Sequence, residues 1–196
     1  MQTSNSILIL LAASALSAGS VHAEPAEWKI DPEHFSVAFE VDHINYQRQI
    51  GMFLEAGGSF RYDPESGELA DGRVEVDAAS VFTNHDERDE HVRGDDFLAV
   101  EDHPRIVFEA SGFEPDDDDG GTLTGDLTLL GRTHPVELDV TINKRGEYPF
   151  GHGRETLGIS AQTTIERSRW GMDYAVSNEL VGDEVALRFE FEAIRQ

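Results

Sequence analysis

The feature that most limits how this chain can fold is a two-residue alternation of apolar and polar side chains, repeated segment after segment. Successive residues of a β-strand point to opposite faces, so such alternation means one dry face and one wet face per strand. In FSVAFEVD, Phe35, Val37, Phe39 and Val41 share one face, and Ser36, Ala38, Glu40 and Asp42 share the other. RVEVD repeats this with Val74 and Val76, and RIVFEA with Ile106, Phe108 and Ala110. LTGDLTL contributes Leu123, Gly125, Leu127 and Leu129; VELDVTI contributes Val136, Leu138, Val140 and Ile142. LGISAQTTI carries Leu157, Ile159, Ala161, Thr163 and Ile165, and VALRFEFEA carries Val185, Leu187, Phe189, Phe191 and Ala193. A further strand, GGSFRYD, adds Phe60. Turn-forming runs separate these segments: DPESGE, PDDDDGG, LGRTHP and RGEYPFGHG. LTLLGRTHPVEL reads as a tight hairpin around Gly131. About eight half-buried strands in one domain predict an all-β fold, either a closed antiparallel barrel or a sandwich. An eight-stranded barrel has room for one small ligand. The inward set of Val, Ala, Gly and Thr, with Phe at intervals, suits such a space, but a filled core uses the same residue types.

The N-terminal segment 1–23 reads as a cleaved secretory signal peptide. ILILLAASALSAG is an apolar run of h-region length, and VHA ending at Ala23 fits a small-x-small cleavage pattern. The expected mature domain is 24–196, roughly 170 residues, enough for a single core. The run is short for a membrane span, and no second apolar run follows. Segment 1–23 contains no Asp, Glu, Lys or Arg, so the whole formal charge of −24 stays on the mature domain. That charge argues against nucleic acid and anionic lipid surfaces as partners. It also suits a salty habitat. Screening of the self-repulsion is expected to raise the urea midpoint between low and high salt; an unchanged midpoint would count against that adaptation. There is no cysteine, which excludes disulfides, thiolate metal sites and a Cys nucleophile.

Two stretches lack strand alternation. HINYQRQIGMFL follows the first long strand and is expected to be a bend without strand character. TNHDERDEHVRGDDFL, residues 83–98, holds two histidines, six acidic residues and two arginines. It predicts a short helix capped by Asn84, with Asp86 and Glu87 near the positive dipole end and Gly94 as the stop. His85 and His91 stand six apart, so one helix face does not present both, and no metal site is expected; distant His34, His43, His103, His134 or His152 could complete one, but nothing in the sequence places them there. No nucleophile or metalloprotease motif accompanies these residues, so no catalytic residue is assigned. The structural reading has Arg88 and Arg93 paired with nearby carboxylates and Asp89 anchoring the turn. Val92, Phe97 and Leu98 form its apolar side and plug one end of a barrel. The four aspartates 116–119 read as a solvated loop tip, with spacing unlike an EF-hand.

The order of motifs resembles a known family. WKIDPEHFSVAFEVDH is followed by GMF, ASVFTN, RDEHVRGDDFL, HPRIVFEA, LTGDLTLLGRTHPVEL, ERSRWGMD and VGDEVALRFEFEA. This is similar to the YceI-like family of periplasmic polyisoprenoid-binding proteins, from about Trp28 to Ala193. The Arg88–Asp89–x–His91 segment followed by the glycine-containing hairpin is its most specific part. The resemblance implies a lipocalin-like antiparallel eight-stranded barrel with short helices closing the ends. It also implies a periplasmic location and a long apolar channel for an isoprenoid or other long-chain amphiphile, with no other cofactor. A homodimer is implied in the same way. Four positions depart from the family pattern: Val92 stands where leucine is usual, Leu98 where an aromatic is usual, and Arg169 and Trp170 where an acidic residue and Phe are usual.

On this reading the channel wall comprises Val37, Phe39, Val41, Phe60, Val76, Phe108, Leu127, Leu138, Ile159, Leu187 and Phe189 from the strands. Phe97, Leu98, Trp170 and Met172 add to it from the connecting segments. His43, Arg88, His91, Arg167 and Arg169 are the candidates for a lipid headgroup, arginine being suited to phosphate. The alternatives are a lipid-modifying enzyme in the same barrel, or a structural or stress-response module whose core is filled by its own side chains.

Overall fold

A computed structural model describes residues 24–116 and 119–196. The expected signal segment 1–23 and two of the four aspartates, Asp117 and Asp118, lie outside the described residues. Ten strands occur in chain order: β1 (Ala26–His43), β2 (Gln47–Phe53), β3 (Ala56–Asp63), β4 (Glu68–Asp77), β5 (Val81–Phe82), β6 (Arg105–Pro115), β7 (Gly120–Leu129), β8 (Arg132–Glu147), β9 (Glu155–Glu166) and β10 (Val181–Arg195). One α-helix, α1 (Asp86–Arg93), and two 3-10 turns, Ala78–Ser80 and Arg167–Trp170, complete the described elements.

All described pairings are antiparallel, and β10 returns to pair with β1 from Trp28–Arg195 to His43–Val181, which closes the sheet. The ten segments make an eight-stranded barrel because two of its strands are broken. β1 pairs with β3 through Ala26–Lys29 and with β2 through Val37–His43, so β2 and β3 are two halves of one wall strand. In the same way β3 pairs with β4 and β2 with β5. The break is held by Ser80, whose Oγ accepts hydrogen bonds from Leu54 N and Glu55 N at 3.1 Å each. Asp77 caps the 3-10 turn by accepting from Ala79 N.

The bend expected over HINYQRQIGMFL is confined to Ile44–Tyr46; Gln47–Phe53 is a strand. Gln49, Gly51 and Phe53 alternate with Ile50 and Met52, so both faces carry apolar residues and the period was hidden. Gly51 is needed there for space: a Cβ at this position would lie 2.1 Å from the ring of Phe39 on the neighbouring strand.

Charged segment 83–98 has a definite job in this wall. β5 pairs with β2, while β6 pairs with β4, so the far edge of β5 has no strand partner among the described residues. The α1 segment covers it. Arg93 donates to Ala79 O at 2.8 Å and Val81 O at 3.0 Å, and Arg88 donates to Thr83 Oγ1 at 2.7 Å and Thr83 O at 2.6 Å. The expected pairing of Arg88 and Arg93 with carboxylates is therefore corrected: an uncovered strand edge offers carbonyl oxygens, and the guanidinium forks take them. Asp89 does anchor the turn, as a buried carboxylate accepting from Thr83 N and Oγ1, both at 2.6 Å. The helix cap is His85, whose Nδ1 accepts from Arg88 N at 3.3 Å, and Asn84 sits before it at φ 64°. Gly94 ends the helix.

The α1 helix and the 3-10 turn Arg167–Trp170 lie at the end of the barrel where β1 finishes and β10 begins, His91 and Arg167 both reaching Tyr174 just before β10. At the other end Trp28, Leu157 and Ala193 are fully buried around Tyr62, with the Trp28 indole donating to Tyr62 O at 3.0 Å.

Candidate ligand cavity

Eight strands with inward apolar stripes do not have to meet in the middle, and here they do not. A cavity of ≈ 530 Å³ runs inside the barrel, within the range of small-molecule sites. Phe39, Phe108, Leu187 and Phe189 all point inward and line it, yet each is only half-buried. In a filled core such residues would be covered by one another; here they face open space. The cavity is elongated. Val181 and Phe191 of β10 both line it, and ten residues of strand at ~3.4 Å each, tilted by about 40°, span about 25 Å of barrel axis.

Every expected wall residue lines this cavity except Trp170: Val37, Phe39, Val41, Phe60, Val76, Phe97, Leu98, Phe108, Leu127, Leu138, Ile159, Met172, Leu187 and Phe189. Trp170 is corrected. It is fully buried behind the wall, its indole donating to Leu127 O at 3.0 Å and its ring edge-on to His134 at 5.1 Å. A buried indole needs an acceptor for its N–H, and the Leu127 carbonyl pulls it out of the lumen. Sequence reasoning missed several lining residues, Ile30, Tyr62, Leu69 and Phe113 among them. Phe53 and Gln49 went unseen with β2, and Tyr174, Ala175 and Leu180 lie on the irregular segment before β10, where no period marks them.

Apart from Ser59, Arg73 and Thr163, the polar non-aromatic groups touching the cavity gather at the helical end: Asp42, His43, Gln49, Thr83, Arg88, His91 and Arg167. The five headgroup candidates separate there. Arg169 is corrected: it is exposed and lies outside the cavity, with its guanidinium 5.4 Å from the Trp170 ring. Arg167 is 2% exposed and its donors are committed to backbone. Nε donates to Gly182 O at 2.8 Å, Nη1 to Met172 O at 2.8 Å, and Nη2 to Tyr174 O and Val181 O at 2.9 Å. Burial pulls its pKa down, opposed by the charges of Asp183 and Asp173. His91 Nε2 is 2.9 Å from Asp96 Oδ2, and its ring packs edge-on against Phe97 and Tyr174. His43 is exposed at the mouth and its ring has no hydrogen-bond partner among the described residues. Arg88 touches the cavity while bound to Thr83.

Among the described residues, Asp31, His34 and Glu192 bring ligand-type atoms within 4.8 Å of one another, at the end away from the helices. They form an ion-pair set of their own. His34 Nδ1 is 2.9 Å from Asp31 and 3.6 Å from Glu192; the hydrogen bond to His34 lowers the Asp31 pKa and the same bond raises that of His34. His85 and His91 are not part of it.

A closed antiparallel barrel around an elongated apolar cavity, with most of its polar groups at one end, defines a hydrophobic-ligand barrel by its shape. The chain belongs to the YceI-like family, whose domain model matches residues 28–193. A UPF0312 protein of Pectobacterium atrosepticum is 36% identical over 195 residues, covering 97% of each chain. One from Pseudomonas putida is 35% identical over 166 residues, 84% of each. Among solved structures, Burkholderia cenocepacia BcnA superposes with a TM-score of 0.74 at 20% identity, over 83% of this chain and 98% of that one. A mutant Campylobacter jejuni YCEI protein gives 0.72 at 28% identity, over 79% and 90%. A polyisoprenoid binding domain from Saccharophagus degradans gives 0.62 at 13% identity, over 88% and 99%. Among the described residues no helix is long and apolar enough to cross a membrane.

Proposed function

We propose that this protein is a periplasmic carrier that holds the tail of a long-chain isoprenoid or similar amphiphilic lipid in the barrel cavity, without chemistry on it. The single observation that supports this most is the elongated apolar cavity whose inward aromatic and aliphatic residues stay half-uncovered. The polyisoprenoid binding domain among its structural neighbours, and the family's place in the periplasm, point the same way. Segment 1–23 is the export signal in this reading, 24–196 the mature carrier, and a homodimer is included on family grounds.

Binding is driven by desolvation. Each buried methylene contributes about 0.8 kcal/mol. A ligand of roughly 40 heavy atoms at about 0.3 kcal/mol per atom reaches about 12 kcal/mol, which is roughly nanomolar. The polar mouth, with His43, Arg88 and His91, orients the head; cavity length and width select the tail. Native mass spectrometry of protein made in a bacterial host is expected to show a co-purifying long-chain lipid. A bare polypeptide mass with no uptake of added quinone or prenyl lipid would falsify the carrier. Turnover of a bound lipid that stops on replacing His91 or His85 while retention survives would favour the enzyme reading instead.

A further inference from the structure

We propose that the rim of the cavity mouth is a bilayer-docking lip through which lipid enters from a zwitterionic membrane surface. This rests on the carrier reading and adds where the cargo crosses. An insoluble lipid has to move from a membrane to the cavity without its tail crossing open water. The mouth is built for contact of that kind. Ile44, Tyr174 and Leu180 are cavity-lining residues and also exposed large apolar residues, so the greasy surface runs unbroken from the lumen to the outside. Ile44 N donates to Leu180 O at 3.2 Å, which ties the β1–β2 hairpin tip to the segment before β10. At the same tip Tyr46 stands 90% exposed. Tyrosine, with an apolar ring and a polar end, is suited to the membrane–water boundary.

The backbone of the lip is strained to present these groups. Ile44, Asn45, Ala175 and Glu179 all have left-handed φ, at 54°, 56°, 59° and 56°. A β-branched residue there is a steric outlier, and such strain gathers at ligand-handling segments. Nothing in local propensity favours Ile at position 44. The exposed acidic residues Asp173 and Glu179 flank the lip, and the chain carries −24 overall, so an anionic surface is repelled and a zwitterionic one is not.

The test uses the purified protein in two arms. Flotation with phosphatidylcholine vesicles reads docking; loading with a prenyl quinone delivered from detergent reads the cavity. Tyr46→Ser is expected to weaken vesicle association by roughly tenfold and to slow quinone uptake from vesicles, while loading from detergent stays unchanged. Tyr46→Trp is expected to keep or strengthen association. Exchanging a third of the lipid for phosphatidylglycerol is expected to weaken association at low salt, with recovery at high salt. Wild-type protein that ignores phosphatidylcholine vesicles, or a Tyr46→Ser variant that docks as well as wild type, overturns the lip and leaves the carrier standing. Tighter binding to anionic vesicles also overturns it. A dimer in sedimentation that Tyr46→Ser dissociates, without vesicle binding, assigns the rim to a second copy and overturns the lip. Docking through Tyr46 without any detergent loading keeps the membrane contact but sinks the carrier, and the entry route with it.

Discussion

Arg167→Ala is expected to lower unfolding stability by about 3–5 kcal/mol, among the largest single-residue losses this fold allows. The side chain is almost wholly buried and donates to four backbone carbonyls, those of Gly182, Met172, Tyr174 and Val181. Two of these carbonyls, Met172 and Tyr174, belong to the segment joining the 3-10 turn to β10, and two, Val181 and Gly182, to the first residues of β10. Removing the guanidinium takes a donor from one buried and three part-buried hydrogen bonds, and each unmet buried group costs about 1–3 kcal/mol, although such costs are not additive. Arg167→Lys is expected to recover only part of the loss, because one ammonium cannot reach four carbonyls spread along a fork. Denaturant midpoints measure both variants. Hydrogen exchange of 172–182 should rise in each; unchanged protection there would mean that the segment holds itself. Arginine was expected at this position for a headgroup. Its hydrogen bonds also shape the mouth, where it lines the cavity.

Ala161→Trp is expected to weaken lipid retention roughly a hundredfold while sparing the fold. Ala161 lines the cavity, opposite Phe189 on β10 and Val140 on β8. An added indole takes the place of about nine ligand atoms, which at about 0.3 kcal/mol each is roughly a hundredfold in affinity. In a filled core the same substitution would cost 1–3 kcal/mol or more through overpacking. With space to receive the ring, stability is expected to move by less than ~1 kcal/mol. Gln162→Trp, one residue along and on the outer face, is the control and should change neither quantity. A large destabilisation of Ala161→Trp with retention intact would mean that the stripes close on themselves around this position.

Much of the barrel was legible because strand alternation is a local signal. Val185, Leu187, Phe189 and Phe191 announce their face without reference to any other strand, and all four line the cavity. β2 was not legible, since Ile50 and Met52 on the outside erase the contrast with Gly51 and Phe53 inside. Trp170 shows the same boundary from the other direction. Its apolar character was plain, but the partner that fixes its orientation, the Leu127 carbonyl, is 43 residues away in sequence. Arg88 and Arg93 were readable as paired groups. That they pair with carbonyls instead of carboxylates depends on β5 lacking a neighbour, which is a property of the assembled sheet.

By itself, then, the order of side chains determined an antiparallel all-β domain, the face each main strand turns inward, and a charged helix-bearing segment between β5 and β6. Only the tertiary structure decided that the inward faces stand apart around a cavity, that the mouth lies at the helical end, and which cations remain near it. The reason is geometric. A period of two specifies which side of a strand is dry, while the distance across the lumen follows from how many strands close, how they tilt and where they break.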